Sequence, residues 1–181
     1  MSLFFQLIIG LVSGAFGAWV AANFALRRFY SEKWWEKRAS AFIELTDAVY
    51  QLKTSFYYYC ELREVQHNGP DDSPNFVQLN AEQQEEMDAG NFQAYKIIKK
   101  YSQSGLLLLT PKATQLLQDF LKEELKINND VNYKGMEYYE AEELFYDNAN
   151  NLFNELIKES REVLKANDSN IIDNIRSLFG R

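Results

Sequence analysis

The two residues best placed to do chemistry together are an arginine and a histidine four positions apart, Arg63 and His67 in the segment REVQH. A spacing of four places both side chains on one face of a helix. With His67 as general acid or base and Arg63 holding a phosphate, such a pair could cleave RNA. A structural role is the alternative, because cations near the C-terminal end of a helix complement its dipole.

The rest of the sequence contains no other catalytic pattern. There is no phosphate-binding loop, no dinucleotide-binding glycine fingerprint, no HExxH, no CxxC and no nucleophile elbow. The carboxylates of Glu140, Glu142, Glu143 and Asp147 are typical of a solvated helix face and do not predict a metal site. We therefore predict no metal, no cofactor and no enzymatic activity, with Arg63 and His67 as the only catalytic candidates.

The polar and small residues near the N-terminus also have an informative spacing. Steps of four, three and four place them on one narrow stripe of a helix: Gln6, Gly10, Ser13 and Gly17. Lipid tails gain nothing from such a surface, so the stripe should face protein or water. The sequence thus predicts self-association, either by tight two-helix packing through Gly10 and Gly14 or in a homo-oligomeric ring whose pore the stripe lines.

The segment that holds this stripe, residues 3–26, has no charged residue. As a helix its roughly 24 residues would be about 36 Å long, which is enough to cross the hydrocarbon core of a bilayer. A cleaved signal peptide would require basic residues before the apolar run, and none is present here. We therefore expect a retained transmembrane helix over residues 3–26.

A basic and aromatic segment, RRFYSEKWWEKR, follows directly at residues 27–38. The excess of Lys and Arg on this side predicts an N-terminus outside and a cytoplasmic remainder, hence a single-pass protein of the bacterial inner membrane. Aromatic rings favour the headgroup level, and cations attract anionic lipid. Arg27, Arg28, Trp34 and Trp35 are accordingly the predicted contacts with the membrane interface.

Residues 39–181 are enough for one ordinary domain with a buried core. The formal net charge of the whole chain is −7, although its basic residues cluster at residues 27–38, so this domain is acidic. An acidic domain lacks the Lys and Arg that phosphate contacts need, and we expect no direct binding of nucleic acid. Cys60 is the sole cysteine, which fits a reducing compartment.

Helical periodicity recurs through this domain. The first predicted helix continues from the apolar segment to about Gln66 and has a packing seam at a seven-residue repeat with an offset of three. Its members are Trp35, Phe42, Leu45, Val49, Leu52, Phe56 and Tyr59. The segment NGPDDSPN, residues 68–75, predicts an exposed loop. A second helix should begin at the cap Asn80 with Gln83 and end at Gly105.

The apolar run Leu106–Leu109 is too short to cross a membrane and is predicted to be a buried connector. Thr110 followed by Pro111 predicts the start of a third helix, reaching about Ile127. A fourth, long helix should begin near Tyr138, and a short tail helix should begin at Asp168 or Ser169, with Ile171 and Phe179 among its buried residues. The predicted fold class is all-α, with a transmembrane helix and an antiparallel helical bundle.

Taken together, the glycine-rich apolar N-terminus, the segment RRFYSEKWWEKR and the RxxxH of Arg63 and His67 resemble the small membrane accessory proteins of type VI-B CRISPR systems. That family accompanies an RNA-guided ribonuclease in bacterial antiviral defence. It is described as divergent and HEPN-like, and as an oligomeric pore that compromises the host envelope.

The resemblance implies an oligomeric membrane pore that depolarises or permeabilises the inner membrane, and a functional coupling to a CRISPR ribonuclease. It also implies that Arg63 and His67 correspond to the HEPN pair of Arg and His. HEPN ribonucleases place four to six residues between the two, whereas this chain has three. A membrane-anchored HEPN-like ribonuclease and a membrane-tethered adaptor without pore activity are the alternative functions.

Overall fold

A computed structural model describes the backbone of residues 3–69 and 75–179, with the side chains of residues 11, 13–69 and 75–163. Its elements, in chain order, are α1 (Leu3–Asn68), α2 (Ala81–Ser104), a short 3-10 turn (Gly105–Leu107), α3 (Pro111–Lys134) and α4 (Tyr138–Phe179). Within these described ranges every regular element is helical, so the predicted all-α class is confirmed.

The predicted transmembrane helix over residues 3–26 is wrong. In the part of the chain that the structure describes, no helix is both long enough and apolar enough to cross a membrane. Among the side chains that the structure describes, Ser13, Gly17 and Asn23 interrupt the apolar run, and Arg27 and Arg28 end it. The single-pass inner-membrane topology, with the N-terminus outside, is wrong for the same reason.

The chain divides into two compact units, Met1–Arg38 and Ala39–Arg181. In the first unit, the described side chains at 11 and 13–38 belong to α1, and we call residues 11–38 the arm. The arm exposes most of its large apolar side chains to solvent: Leu11, Phe16, Trp19, Phe24, Leu26, Phe29, Tyr30, Trp34 and Trp35. The arm contains no proline or charge before Arg27.

The second unit has one hydrophobic core to which all four helices contribute. Of the predicted seam, Leu45, Val49 and Leu52 are fully buried and Phe42 nearly so, whereas Trp35 is exposed and Phe56 and Tyr59 are only partly buried. From the other elements the core includes Ala94, Ile98, Tyr101, Leu109, Ala113, Leu117, Phe120, Ala149, Leu152 and Leu156. A helix with apolar residues at steps of three and four buries one continuous face, which explains why this seam forms the core.

The helix starts of α2 and α3 are set by local chemistry, as predicted. The Asn80 side chain accepts a hydrogen bond from the backbone N–H of Gln83 at 2.9 Å, and the Gln83 side chain accepts one from the backbone N–H of Asn80 at 3.0 Å. Thr110 Oγ1 accepts from the backbone N–H of Ala113 at 3.0 Å, and Pro111 occupies the first turn. Each cap satisfies amide groups that the helix itself leaves unpaired.

Three predicted features differ from the structure. Helix α3 continues past Ile127 to Lys134 and ends at Gly135, whose φ of 76° is the left-handed conformation that glycine adopts readily. In the predicted buried connector, Leu109 is buried but Leu106 and Leu107 are exposed. Helix α4 continues without a break through the predicted tail helix, while the predicted burial of residues 171–179 concerns side chains outside the described residues.

Candidate functional site

Arg63 and His67 line an open cleft between the C-terminal end of α1 and the start of α4, which we call the α1–α4 cleft. Its volume is about 680 Å³. The lining residues are Arg63, Glu64, Gln66, His67, Asn68, Glu137, Tyr138, Tyr139 and Glu140. The structure therefore places the two candidate catalytic residues at the same cleft, as their spacing predicts.

Arg63 forms an ion pair with a carboxylate that is not part of the cleft lining. Its Nε donates a hydrogen bond to Glu142 Oε1 at 3.2 Å, and the Glu142 side chain is only 16% exposed. The second oxygen, Glu142 Oε2, is buried and has no hydrogen-bond partner among the described residues. Burial raises the pKa of Glu142, although the charge and hydrogen bond of Arg63 oppose that effect. Arg63 is thus paired with a largely buried carboxylate.

The surroundings of the cleft are negatively charged. Glu64, Glu137 and Glu140 lie in its walls. Burial raises the pKa of the nearby Cys60 thiol to about 11, and the negative charges of Glu142 and its neighbours act in the same direction. A phosphodiester would meet carboxylates here, with the one arginine already paired, so the arrangement is poorly suited to cleaving RNA.

The His67 side chain has no hydrogen-bond partner among the residues whose positions the structure gives, so nothing there fixes which ring nitrogen bears the proton. A general acid or base needs such an orienting contact or a substrate in reach. In the same described ranges, no three His, Cys, Asp or Glu side chains come together as a metal site would require.

The predicted stripe of small and polar residues lies on the arm and is only partly described. Ser13 and Gly17 are exposed, while the exposure of Gln6 and Gly10 lies outside what the structure describes. A Cβ atom added at Gly14 or Gly17 would meet no atom within 4 Å. This surface of the helix is therefore open to the close approach of another molecule.

Large apolar side chains project elsewhere from the same helix. Leu11 is 72% exposed, Phe16 64% and Phe24 67%. The rings of Phe16 and Trp19 stack with their centroids 6.2 Å apart, and Trp19 also borders a shallow hollow of about 240 Å³ that ends at Arg27. Exposed apolar surface of this extent marks an interaction site in most proteins.

The basic end of the arm pairs its charges locally. Arg28 contacts Glu32 at 2.8 Å and Lys33 contacts Glu36 at 2.7 Å, while Lys37 Nζ lies 5.9 Å from the centre of the Trp34 ring. These pairs are exposed to solvent and add little to stability. Trp34 and Trp35 remain exposed beside them. Their predicted contact with a membrane interface stays a prediction.

A buried polar cluster in the core was missed by the sequence analysis. The Glu124 side chain, on α3, accepts a hydrogen bond from Tyr95 Oη at 2.5 Å, and Asn148 Nδ2 lies 3.5 Å from its other oxygen. Glu124 is only 5% exposed, and burial raises its pKa to about 7. Its position, three or four residues from the buried Phe120 and Ile127, was the available signal.

Comparison of this chain with known proteins finds no match among family models, curated proteins or solved structures. The resemblance to the accessory proteins of type VI-B CRISPR systems therefore stays a prediction, which rests on the sequence features alone.

Proposed function

We propose that this chain is a homo-oligomeric effector of bacterial antiviral defence, which strengthens RNA-guided immunity by permeabilising lipid membranes once it has assembled. The exposed apolar surface of the arm is the observation that carries the proposal. Burying one large apolar side chain is worth about 1.5–3 kcal/mol relative to leaving it in water. Several such side chains on one helix favour association strongly.

A second copy of the chain is the partner that this surface fits. Gly14 and Gly17 leave room for a neighbouring helix, whereas Phe16 and Trp19 are exposed on other sides of the same helix. Small residues let two helices approach closely, and the large side chains then pack around the contact. Each copy supplies both kinds of surface, and a repeated head-to-tail contact of this kind closes into a ring when its rotation permits.

The proposed action on lipid is supported by the composition of the basic end of the arm. Trp34 and Trp35 are exposed among basic residues that include Arg27 and Arg28. Aromatic rings favour the headgroup level of a bilayer, and Lys or Arg is attracted to anionic lipid. Binding at a lipid surface would bring the apolar arms of many copies together. The defence setting rests on the sequence resemblance, and no membrane-spanning helix is part of the proposal.

A pair of matched leucine variants tests the assembly surface. Gly17→Leu adds bulk to the stripe, whereas Ala15→Leu adds similar bulk about 160° around the helix, since each residue advances about 100°. We expect Gly17→Leu to weaken self-association at least tenfold in sedimentation measurements, and Ala15→Leu to change it little. Leakage of a dye from anionic phospholipid vesicles should follow the same order.

Distinct results would contradict distinct parts of the proposal. A wild-type chain that is monomeric throughout the concentration range, or equal losses in the two leucine variants, would refute assembly through the stripe. A stable oligomer that leaves vesicles intact would refute permeabilisation and favour an adaptor. Cleavage of RNA that is lost on Arg63→Ala or His67→Ala substitution would favour the ribonuclease instead.

A further inference from the structure

We infer that the α1–α4 cleft binds an organic cation, namely a guanidinium or primary ammonium group on a short apolar chain. The volume of the cleft, about 680 Å³, is within the usual range of small-molecule pockets. The proposed membrane activity uses the arm and makes no use of this cleft, so the inference goes beyond it.

Carboxylates stand on both sides of the cleft. Glu64 belongs to α1, Glu140 to the first turn of α4, and Glu137 to the connection just before α4. None of the three forms an ion pair with a residue in the described ranges. Arg63, the arginine of the lining, is held by Glu142. The cleft therefore keeps a net negative charge that a cationic ligand would neutralise.

Two tyrosines give the cleft a second attraction for cations. Tyr138 is 66% exposed and Tyr139 is 50% exposed, and both line the cleft. The face of an aromatic ring attracts an ammonium or guanidinium group within about 6 Å of its centre. The negative charges of Glu143 and Glu64 raise the pKa of Tyr139, which places that ring in the same negative field. An apolar chain next to the cationic group could pack on these rings.

The end of α1 adds oriented carbonyl groups. Helix α1 ends at Asn68, and the backbone N–H of Gly69 satisfies the carbonyl of Val65 at 3.0 Å. The carbonyl groups of a last helical turn lack helical partners, and they carry partial negative charge. The start of α4 has the opposite polarity, but Glu137 and Glu140 lie there and offset it. An anionic ligand is disfavoured by all of these groups except the amides of α4.

Calorimetric titration of the full-length chain with agmatine, which has both a guanidinium and an ammonium group, tests the inference. We expect saturable binding of one agmatine per chain and no binding of pentylurea, a neutral molecule of similar shape. Glu64→Gln and Glu140→Gln should each weaken agmatine binding by roughly three- to tenfold, as expected for the loss of one nearby charge. Tyr139→Leu should weaken it as well, and Tyr139→Phe should not.

Glu86→Gln is the matched control, because Glu86 is an exposed glutamate on α2, outside the lining of the cleft. Equal weakening by Glu86→Gln and Glu64→Gln would show a diffuse attraction to an acidic protein and would overturn the inference. Absence of saturable agmatine binding would overturn it too. Displacement of agmatine by Mg²⁺ at matched ionic strength, but not by Na⁺, would also overturn it, because the site would then be one for an inorganic cation.

Discussion

Replacing the buried Glu124 by glutamine should remove a pH-dependent loss of stability from this protein. Glu124 lies in the core with 5% of its surface exposed, and the hydrogen bonds from Tyr95 and Asn148 only partly compensate for its burial. Its pKa rises from the ordinary 4.5 to about 7 in the folded chain. The folded state therefore holds a proton on Glu124 that the unfolded state has already lost at intermediate pH.

The sign and size of the effect follow from this difference. The contribution of Glu124 protonation to the free energy of unfolding is fully present below about pH 4.5, falls as the pH rises, and is lost above about pH 7. Each pKa unit is worth about 1.4 kcal/mol, so the total loss is about 3 kcal/mol. Glutamine keeps the shape of the side chain without the charge. The free energy of unfolding of Glu124→Gln, relative to wild type, should therefore increase by about 3 kcal/mol between about pH 4 and about pH 8.

Urea unfolding of the full-length chain at several pH values measures this quantity. The near-ultraviolet circular dichroism of the tyrosines is a suitable signal, because Tyr95 and Tyr101 lie in the core. Only the change with pH matters, so a constant offset from repacking of the amide does not affect the test. Tyr95→Phe removes the hydrogen bond that lowers the pKa of Glu124, and it should make the loss with rising pH larger.

Glu123→Gln is the control for this experiment. Glu123 adjoins Glu124 in the chain, but its side chain is 45% exposed and pairs with Lys126 at 2.6 Å. The pH dependence of stability should be nearly the same in Glu123→Gln as in wild type. The reasoning would be refuted if the difference between Glu124→Gln and wild type stayed constant over this pH range, or if Glu123→Gln reproduced the change.

Three further predictions concern contacts that hold the domain together. Thr110→Ala should lower the free energy of unfolding by about 1–2 kcal/mol, because it removes the cap of α3 and a hydrogen bond of 2.6 Å to the buried Glu159. Thr110→Ser should keep both hydrogen bonds, and thermal unfolding of the two variants measures the difference. Gly105→Ala should be destabilising in the same assay, since its Cβ would lie 3.0 Å from Thr114 Oγ1. Arg63→Ala should lower stability by leaving Glu142 unpaired, and an RNA cleavage assay should show no activity in either wild type or variant.

The helix starts could be predicted from the sequence because their causes are local. Asn80 and Gln83 form their reciprocal hydrogen bonds within four residues, and Thr110 with Pro111 does not need the rest of the fold. The end of α3 was placed too early because the polar residues after Ile127 look like a loop. They stay helical until Gly135, which is the first residue that adopts a left-handed conformation there.

The candidate site could be predicted only in part, because its contacts join distant segments. The spacing of Arg63 and His67 places them on one helix, but the partner of Arg63 lies 79 residues later in the chain. No periodicity within one helix shows which carboxylate of another helix will face it. The transmembrane prediction failed for a different reason, because the absence of charge over residues 3–26 was taken as sufficient, whereas no helix of the described residues is long and apolar enough to span a membrane.

The distribution of aromatic residues has a spectroscopic consequence. The three tryptophans of the chain, Trp19, Trp34 and Trp35, all belong to the arm, whereas every tyrosine except Tyr30 lies in the second unit. Indole emission therefore follows burial of the arm, and phenol signals follow unfolding of the core. Assembly and folding can be measured separately in one unlabelled sample. A melting curve recorded by tryptophan fluorescence would describe the arm, and it would report on the core only through the continuous helix α1.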